Sequence, residues 1–206
     1  TAKPHQHGLY QLSRHKKGKF VFYSITADCE IMVDENNYPL FYQELISKEK
    51  RIRHDFKINK KATAQKFTLF AVPDPQCRNL AELARFKNET IADIKVNVPK
   101  YPNVVGLTLG DIIFDTPELW GEMKNAMAKQ ALPFFQTIGN HDHLQTASSE
   151  DVGEEGFRKQ FGPTYYSFNR GEIHYVVMDD VFFVGTAKKY IGYLTENQLR
   201  WLEQDL

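Results

Sequence analysis

The chain has 206 residues and a formal net charge of zero, with 42% hydrophobic, 13% aromatic and 25% charged residues. This composition is typical of a globular protein and excludes the disordered and fibrous classes. A general nucleic-acid-binding protein carries an excess of basic residues to neutralise phosphates, whereas here 26 Lys and Arg balance 26 Asp and Glu. No apolar run approaches the ~18 residues that a membrane span requires. Two cysteines, Cys29 and Cys77, are too few for a disulfide framework.

The N-terminal part predicts a small β-rich region. Residues 20–25, 41–42 and 52–58 are rich in aromatic and β-branched side chains, and polar turns separate them. A sheet of so few strands is only marginally stable by itself in water. We therefore expect these strands to pack on the rest of the chain, or further strands to precede them. Residues 48–61 contain seven Lys and Arg, and this basic segment marks the edge of the β-rich region and a linker. We therefore assign residues 1–61 to a β-rich domain fragment with its linker.

Residues 62–206 predict an α/β domain, because strand-like and helix-like segments alternate from residue 67 onward. The predicted strands are 67–72, 104–109 and 134–138, with helices over 79–94 and after Thr116, the expected N-cap. A hairpin over 165–178 and a final helix that begins with a capping box at Thr195 follow. Since a crossover helix normally leads to another strand, we expect this domain to be incomplete at its C-terminus.

Three predicted strands end in the same way, with an apolar run followed at once by carboxylate or amide side chains. Asp74 follows the first strand, Asp111 the second and Asn140 the third, at separations of 37 and 29 residues. In an open parallel sheet the carboxyl ends of the strands meet at one edge, where ligands bind. Oxygen ligands at such an edge can hold two cations that bind a phosphoryl group and activate a water molecule. The sequence therefore predicts a metal-assisted phosphate hydrolase.

The ordered elements Asp74-Pro75-Gln76, Gly110-Asp111 to Asp115, and Gly139-Asn140-His141-Asp142 resemble the calcineurin-like metallophosphoesterases. The resemblance covers residues 67–206, and residues 161–168 are similar to the bacterial branch that carries a β-rich N-terminal domain. It implies the calcineurin-like α/β fold, here partial. It also implies a cofactor of two divalent transition metals, namely Mn, Fe, Zn or Ni.

The resemblance also implies roles for individual residues. The implied metal ligands are Asp74, Gln76, Asp111 and Asn140, with Asp111 bridging the two ions. The implied catalytic group is His141, whose ring Asp142 or Asp115 would orient. Asn140, His141 and His143 would contact the substrate, a small phosphorylated molecule.

The chain departs from the family pattern at three places. Gln76 stands where the family has a histidine, and Asp115 follows Asp111 by four residues rather than three. The family's later Gly-His and Gly-His-x-His motifs, which supply further metal ligands, do not occur. Because these motifs are missing, we expect that this chain alone holds an incomplete metal site.

The sequence leaves the mono- or diester nature of the substrate open, and two other functions remain as alternatives. One is a catalytically inactive protein of the cell envelope that binds a phosphate or sugar phosphate. The other is an interaction module in which the β-rich region contacts a partner. The resemblance to the branch with a β-rich domain and the start at Thr1 favour a periplasmic, cell-envelope or secreted location, with the cytoplasm as the alternative.

Overall fold

The computed structural model describes residues 10–13, 18–46, 51–128, 130–185 and 189–206. Residues 1–9, 14–17 and 47–50 of the predicted N-terminal fragment lie outside these ranges.

Strands β1 (Phe20–Phe22) and β2 (Tyr42–Glu44) form an antiparallel pair. The predicted strand over residues 52–58 is wrong: this segment pairs with no strand of the described residues, and the bridge that follows it joins Lys60 to Cys29. Phe56 packs on Tyr23 instead, with 4.9 Å between ring centroids, while the flanking charged residues face solvent.

A three-stranded parallel sheet forms the centre of the molecule, as predicted. Strands β3 (Thr68–Val72), β4 (Val104–Thr108) and β5 (Phe134–Phe135) pair in that order. All three therefore end at the same edge of the sheet.

Helices connect the parallel strands, as predicted. Between β3 and β4 lie α1 (Leu80–Phe86), a π-helical turn (Lys87–Ile91) and α2 (Ala92–Asn97). Between β4 and β5, a 3₁₀ turn (Pro117–Leu119) leads into α3 (Trp120–Met127). Thr116 is the N-cap residue of this turn, as predicted, although its hydroxyl donates to the carbonyl of Cys77 at 3.1 Å and caps no backbone N–H of the turn.

Two short helices and two hairpins follow the central sheet. Helices α4 (Glu150–Gly153) and α5 (Glu155–Phe161) come first, in a region that begins with acidic residues typical of a loop. Strands β6 (Tyr166–Arg170) and β7 (Ile173–Val177) form the predicted hairpin. Strands β8 (Val181–Gly185) and β9 (Lys189–Gly192) form a second one. Helix α6 (Glu196–Asp205) begins at Thr195, whose side chain accepts a hydrogen bond from the N–H of Gln198 at 3.4 Å.

The central sheet buries a different core on each face, since side chains alternate along a strand. One face packs against α1, α2, α3 and α5 through residues such as Val72 and Phe134. The other packs against the β6–β7 hairpin and the N-terminal segment through Val105, Leu107 and Phe135. Ile25, Cys29 and Phe41 of the N-terminal segment belong to this second core, so this segment packs on the α/β part. Among the described residues, no helix is long and apolar enough to cross a membrane.

Candidate active site

The polar residues that follow the three parallel strands meet around Asp111. The backbone N–H of Gln76, after β3, donates to the Asp111 carbonyl at 2.8 Å. From the other side, the backbone N–H of His141, after β5, donates to Asp111 Oδ1 at 3.0 Å. Asp111 thereby links the loops of all three strands, at the central position that the resemblance gives to the bridging ligand.

The Gln76 side chain joins two carboxylates. Its Nε2 donates to Asp74 Oδ1 at 3.2 Å and to Asp111 Oδ2 at 3.0 Å. Asp74 Oδ1 and Asp111 Oδ2 therefore both face the same nitrogen atom, Nε2 of Gln76. Asp74 is exposed and Asp111 is buried, so the pair lies at the surface end of the sheet edge. Two anionic oxygens facing one point form an arrangement that attracts a cation.

Glycine permits the close approach of the loops after β4 and β5. A Cβ on Gly139 would lie 2.2 Å from both the backbone nitrogen and the Oδ1 of Asp111. Only a residue without a side chain fits there without moving the backbone. Glycine is therefore required at position 139, because a side chain there would overlap Asp111.

The backbone at the site adopts an uncommon conformation. Asp74, Gln76, Asp111 and Asp115 have φ angles of 48°, 43°, 49° and 55°, in the left-handed region that non-glycine residues seldom occupy. Four of the seven non-glycine residues with positive φ in the described part of the chain are thus predicted site residues. Such outliers cluster at functional sites, where the surrounding structure holds them.

His141 lies between an acidic and an aromatic neighbour. Its Nδ1 lies 3.0 Å from Asp115 Oδ1, and since a carboxylate only accepts, Nδ1 carries the proton in this pair. The ring stacks on Phe114 with 3.9 Å between centroids, and the Arg78 guanidinium lies 4.6 Å from the Phe114 centroid on its ring face. The stack on Phe114 therefore fixes the plane of the His141 ring, and the Asp115 carboxylate fixes its tautomer.

Asp142 holds the turn rather than the His141 ring. Its oxygens accept from the backbone N–H groups of Ile113, at 3.0 Å, and Gly139, at 2.9 Å. Burial raises the pKa of Asp142 to about 7, although these hydrogen bonds oppose the shift. Of the two carboxylates that the resemblance offers for orienting the ring, the structure places Asp115 beside it.

The remaining predicted residues lie at the same turn. Asn140 begins the 3₁₀ turn (Asn140–Asp142), is half-buried, and its carbonyl accepts from the Gln145 side chain at 3.1 Å. His143 is buried, with Nδ1 3.0 Å from the Gly139 carbonyl oxygen. The structure thus brings Asp74, Gln76, Asp111, Asp115 and His141 together, and directs His143 into the interior.

Sequence reasoning missed Arg78 and Phe114. Both are close in sequence to predicted residues, but the stack that joins Arg78, Phe114 and His141 depends on two loops meeting, which no local pattern shows. Asp179, which follows strand β7, also lies outside the predicted site residues, and it is near His143 and Glu150 in a compact cluster of possible metal ligands.

Comparison with known families supports the resemblance over another part of the chain. A family model for the N terminal of calcineurin-like phosphoesterase matches residues 1–61, which are 61 of the 206 residues. The chain is thus similar to calcineurin-like phosphoesterases in a region separate from the loops described above. The chain has no significant match among curated proteins or solved structures.

Proposed function

We propose that this chain carries the active-site edge of a metal-dependent phosphoesterase, which hydrolyses a phosphate mono- or diester in a small phosphorylated substrate. The observation that carries the proposal is the meeting of Asp74, Asp111 and His141 at the ends of adjacent parallel strands. There the Gln76 amide bridges the two carboxylates, and the His141 backbone N–H donates to Asp111. The family match to residues 1–61 supports it independently. Residues 62–206 would form the catalytic domain and residues 1–61 the β-rich fragment beside it.

The residues fit the metals that the family implies. Asp74 Oδ1 and Asp111 Oδ2 converge within 3.2 Å of one atom, and carboxylate and amide groups are suitable ligands for divalent transition metals. Asp74, Gln76, Asp111 and Asn140 would hold the ions, whether Mn, Fe, Zn or Ni. When bound, such ions lower the pKa of a coordinated water molecule and neutralise charge on a phosphoryl group.

The chain's own residues would bind the ester and manage a proton. With Nδ1 held by Asp115, His141 presents Nε2 to the substrate, where it can donate a proton to the leaving oxygen or a hydrogen bond to the phosphoryl group. Asn140 would provide a further polar contact beside it. Arg78, above the Phe114 ring, offers a guanidinium that can pair with a phosphate.

A second candidate is a protein that binds a phosphate or sugar phosphate without turning it over. Gln76 favours this function, because its amide bonds to both carboxylates where the family has a histidine. An amide is a weaker ligand than imidazole for zinc, iron and nickel, so the affinity of this edge for such metals would be lower than in the family. For either function we propose a periplasmic, cell-envelope or secreted location.

The test is metal-dependent turnover by the complete protein that contains these residues. The protein is treated with a chelator, and hydrolysis of p-nitrophenyl phosphate and its bis ester is followed before and after Mn²⁺ or Zn²⁺ is returned. Turnover that is lost on chelation and restored by metal supports a phosphoesterase. Calorimetric binding of the same esters without turnover under any of the four metals would establish the binding protein instead.

A further inference from the structure

Behind the Gly139–His143 turn lies a second group of possible metal ligands, separate from Asp74 and Asp111. His143, Glu150 and Asp179 each direct one ligand atom into a space where these atoms all lie within 4.8 Å of one another. We call this group the buried triad. His143 and Asp179 are each 2% exposed, and the Glu150 side chain is 18% exposed. The triad joins the turn after β5, the start of α4 and the segment after β7.

Nδ1 of His143 is held by a backbone carbonyl, so Nε2 is the ring nitrogen that faces the triad and can bind a ligand. Its Nδ1 lies 3.0 Å from the Gly139 carbonyl oxygen, which can only accept, so Nδ1 carries the proton. Its Nε2 is buried and has no hydrogen-bond partner. The nearest carboxylate oxygen, Glu150 Oε1, is 3.8 Å away, which is too far for a hydrogen bond. A histidine that binds a metal through one nitrogen usually donates the other N–H to a carbonyl or carboxylate in this way.

The two carboxylates of the triad each use one oxygen elsewhere. Asp179 Oδ1 accepts from the backbone N–H of Val181 at 3.2 Å, while Oδ2 is buried without a hydrogen-bond partner. Glu150 Oε2 accepts from the backbone N–H of Phe183, so that Oε1 faces His143. Leaving a buried polar atom unpaired is costly. A cation between the three groups would satisfy the two unpaired atoms together.

Negative charge exceeds positive charge around the triad. Glu150, Asp179 and the adjacent Glu154 supply three carboxylates. The positive groups are Arg158, which pairs with Glu154, and the His143 ring, whose pKa is lowered by burial but raised on balance by the Glu150 and Asp179 carboxylates. Burial raises the pKa of Asp179 to about 7, with the Glu150 carboxylate adding to the shift and His143 opposing it. A bound divalent cation would compensate the buried charge of the ionised carboxylates.

We propose that His143 Nε2, Glu150 and Asp179 bind a divalent transition metal of the zinc or manganese type, in a structural site distinct from the Asp74–Asp111 edge. One imidazole and two carboxylates form a ligand set suited to Zn²⁺ or Mn²⁺. Metal–ligand bonds of about 2.0–2.2 Å place ligand atoms about 3–4.4 Å apart, and the 3.8 Å between His143 Nε2 and Glu150 Oε1 fits this range. The metal would fix the Gly139–His143 turn from behind, because His143 holds the Gly139 carbonyl.

The test measures zinc in a chain whose other site is disabled. Asp111→Asn removes the central carboxylate of the sheet edge, and asparagine tolerates the left-handed backbone at this position. This tag-free variant is equilibrated with ZnCl₂, passed over a desalting column and analysed by mass spectrometry of the acid digest. We expect about one zinc per chain, a higher Tm with zinc than without it, and visible absorption bands when Co²⁺ replaces zinc.

Three further variants, made in the Asp111→Asn background, identify the ligands. Asp179→Asn and Glu150→Gln keep side-chain volume and should each weaken zinc binding about 100-fold or more, since losing even a partner of a ligand costs 10–100-fold. Asp180→Asn, at the exposed neighbouring position, should bind zinc normally. Circular dichroism confirms folding, and Glu150→Gln provides the test if Asp179→Asn does not fold. Absence of zinc from the Asp111→Asn chain, or unchanged zinc in the folded ligand variants, would overturn the proposal.

Discussion

His141 Nδ1 and Asp115 Oδ1 lie 3.0 Å apart, although 26 residues separate them in the sequence. The pair forms because the loops after β4 and β5 lie side by side, and the Asp115 N–H also donates to the His141 carbonyl at 3.2 Å. Two contacts between the same residues fix both the backbone and the ring. This arrangement is how a carboxylate sets the tautomer of a catalytic histidine.

Asp115→Asn should lower kcat about 10–100-fold and leave KM nearly unchanged. The asparagine oxygen can still accept from Nδ1, so the ring keeps its orientation, but the negative charge that stabilises a protonated imidazole is lost. The measurement is steady-state hydrolysis of p-nitrophenyl phosphate by the complete, metal-loaded protein. Glu118→Gln, at an exposed nearby position, is the matched control and should behave as wild type. Equal kcat values for Asp115→Asn and the control would show that Asp115 has no role in positioning.

Gly139→Ala should destabilise the protein by about 1–3 kcal/mol, because its Cβ would overlap the Asp111 backbone and force the loops apart. The free energy of unfolding from urea titration measures this effect. Gly121→Ala is the control: Gly121 lies in α3, and a Cβ added there would meet no atom of another described segment within 4 Å. That change should stabilise the chain by about 0.5–1 kcal/mol. A Gly139→Ala variant as stable as wild type would contradict the described loop contact.

Gln76→His should increase metal retention at the sheet edge roughly tenfold, since imidazole is a stronger ligand for zinc, iron and nickel than an amide. Histidine also tolerates positive φ better than most residues, and the φ of Gln76 is 43°. The readout is the metal content of the Asp179→Asn chain, with and without Gln76→His, after dialysis against metal-free buffer. Unchanged or lower metal content would indicate that this side chain does not face the ions.

Cys77 should react slowly with thiol reagents in the native protein. It is 1% exposed, and burial raises the pKa of its thiol to about 11, with Glu82 adding to the shift. At pH 8 its thiolate fraction should be about 100-fold smaller than that of an ordinary cysteine. Alkylation followed by peptide mass spectrometry, with and without denaturant, measures the difference. Rapid native labelling of Cys77 would contradict its buried position.

The sequence predicts the centre of the molecule well because the signals there are local. Apolar runs that end in Asp74, Asp111 and Asn140 predict parallel strands whose ends meet, and the structure confirms both the parallel pairing and the contacts around Asp111. The Thr195 cap of α6 is confirmed for the same reason.

Features that depend on tertiary contacts could not be predicted in this way. The acidic residues from 150 to 155 are typical of a solvated loop, but helices α4 and α5 form there and bury Phe157 and Phe161 against the core. The alternating pattern of residues 52–58 is typical of a strand, yet no neighbouring strand pairs with it in the described part of the chain. Glu150 and Asp179, the other two residues of the buried triad, lie 7 and 36 residues after His143, and no spacing rule connects the three.

Turnover by Asn140→Ala and His141→Ala variants of the complete, metal-loaded protein tests the central claim most directly. Both residues belong to the Gly139–His143 turn, where we place metal binding and proton transfer. We predict that each variant loses hydrolysis of p-nitrophenyl phosphate and its bis ester by about 100-fold or more. Asn197→Ala and His54→Ala, which lie outside the site, should keep it. Wild-type turnover by Asn140→Ala and His141→Ala would contradict the assignment of this sheet edge as the catalytic site.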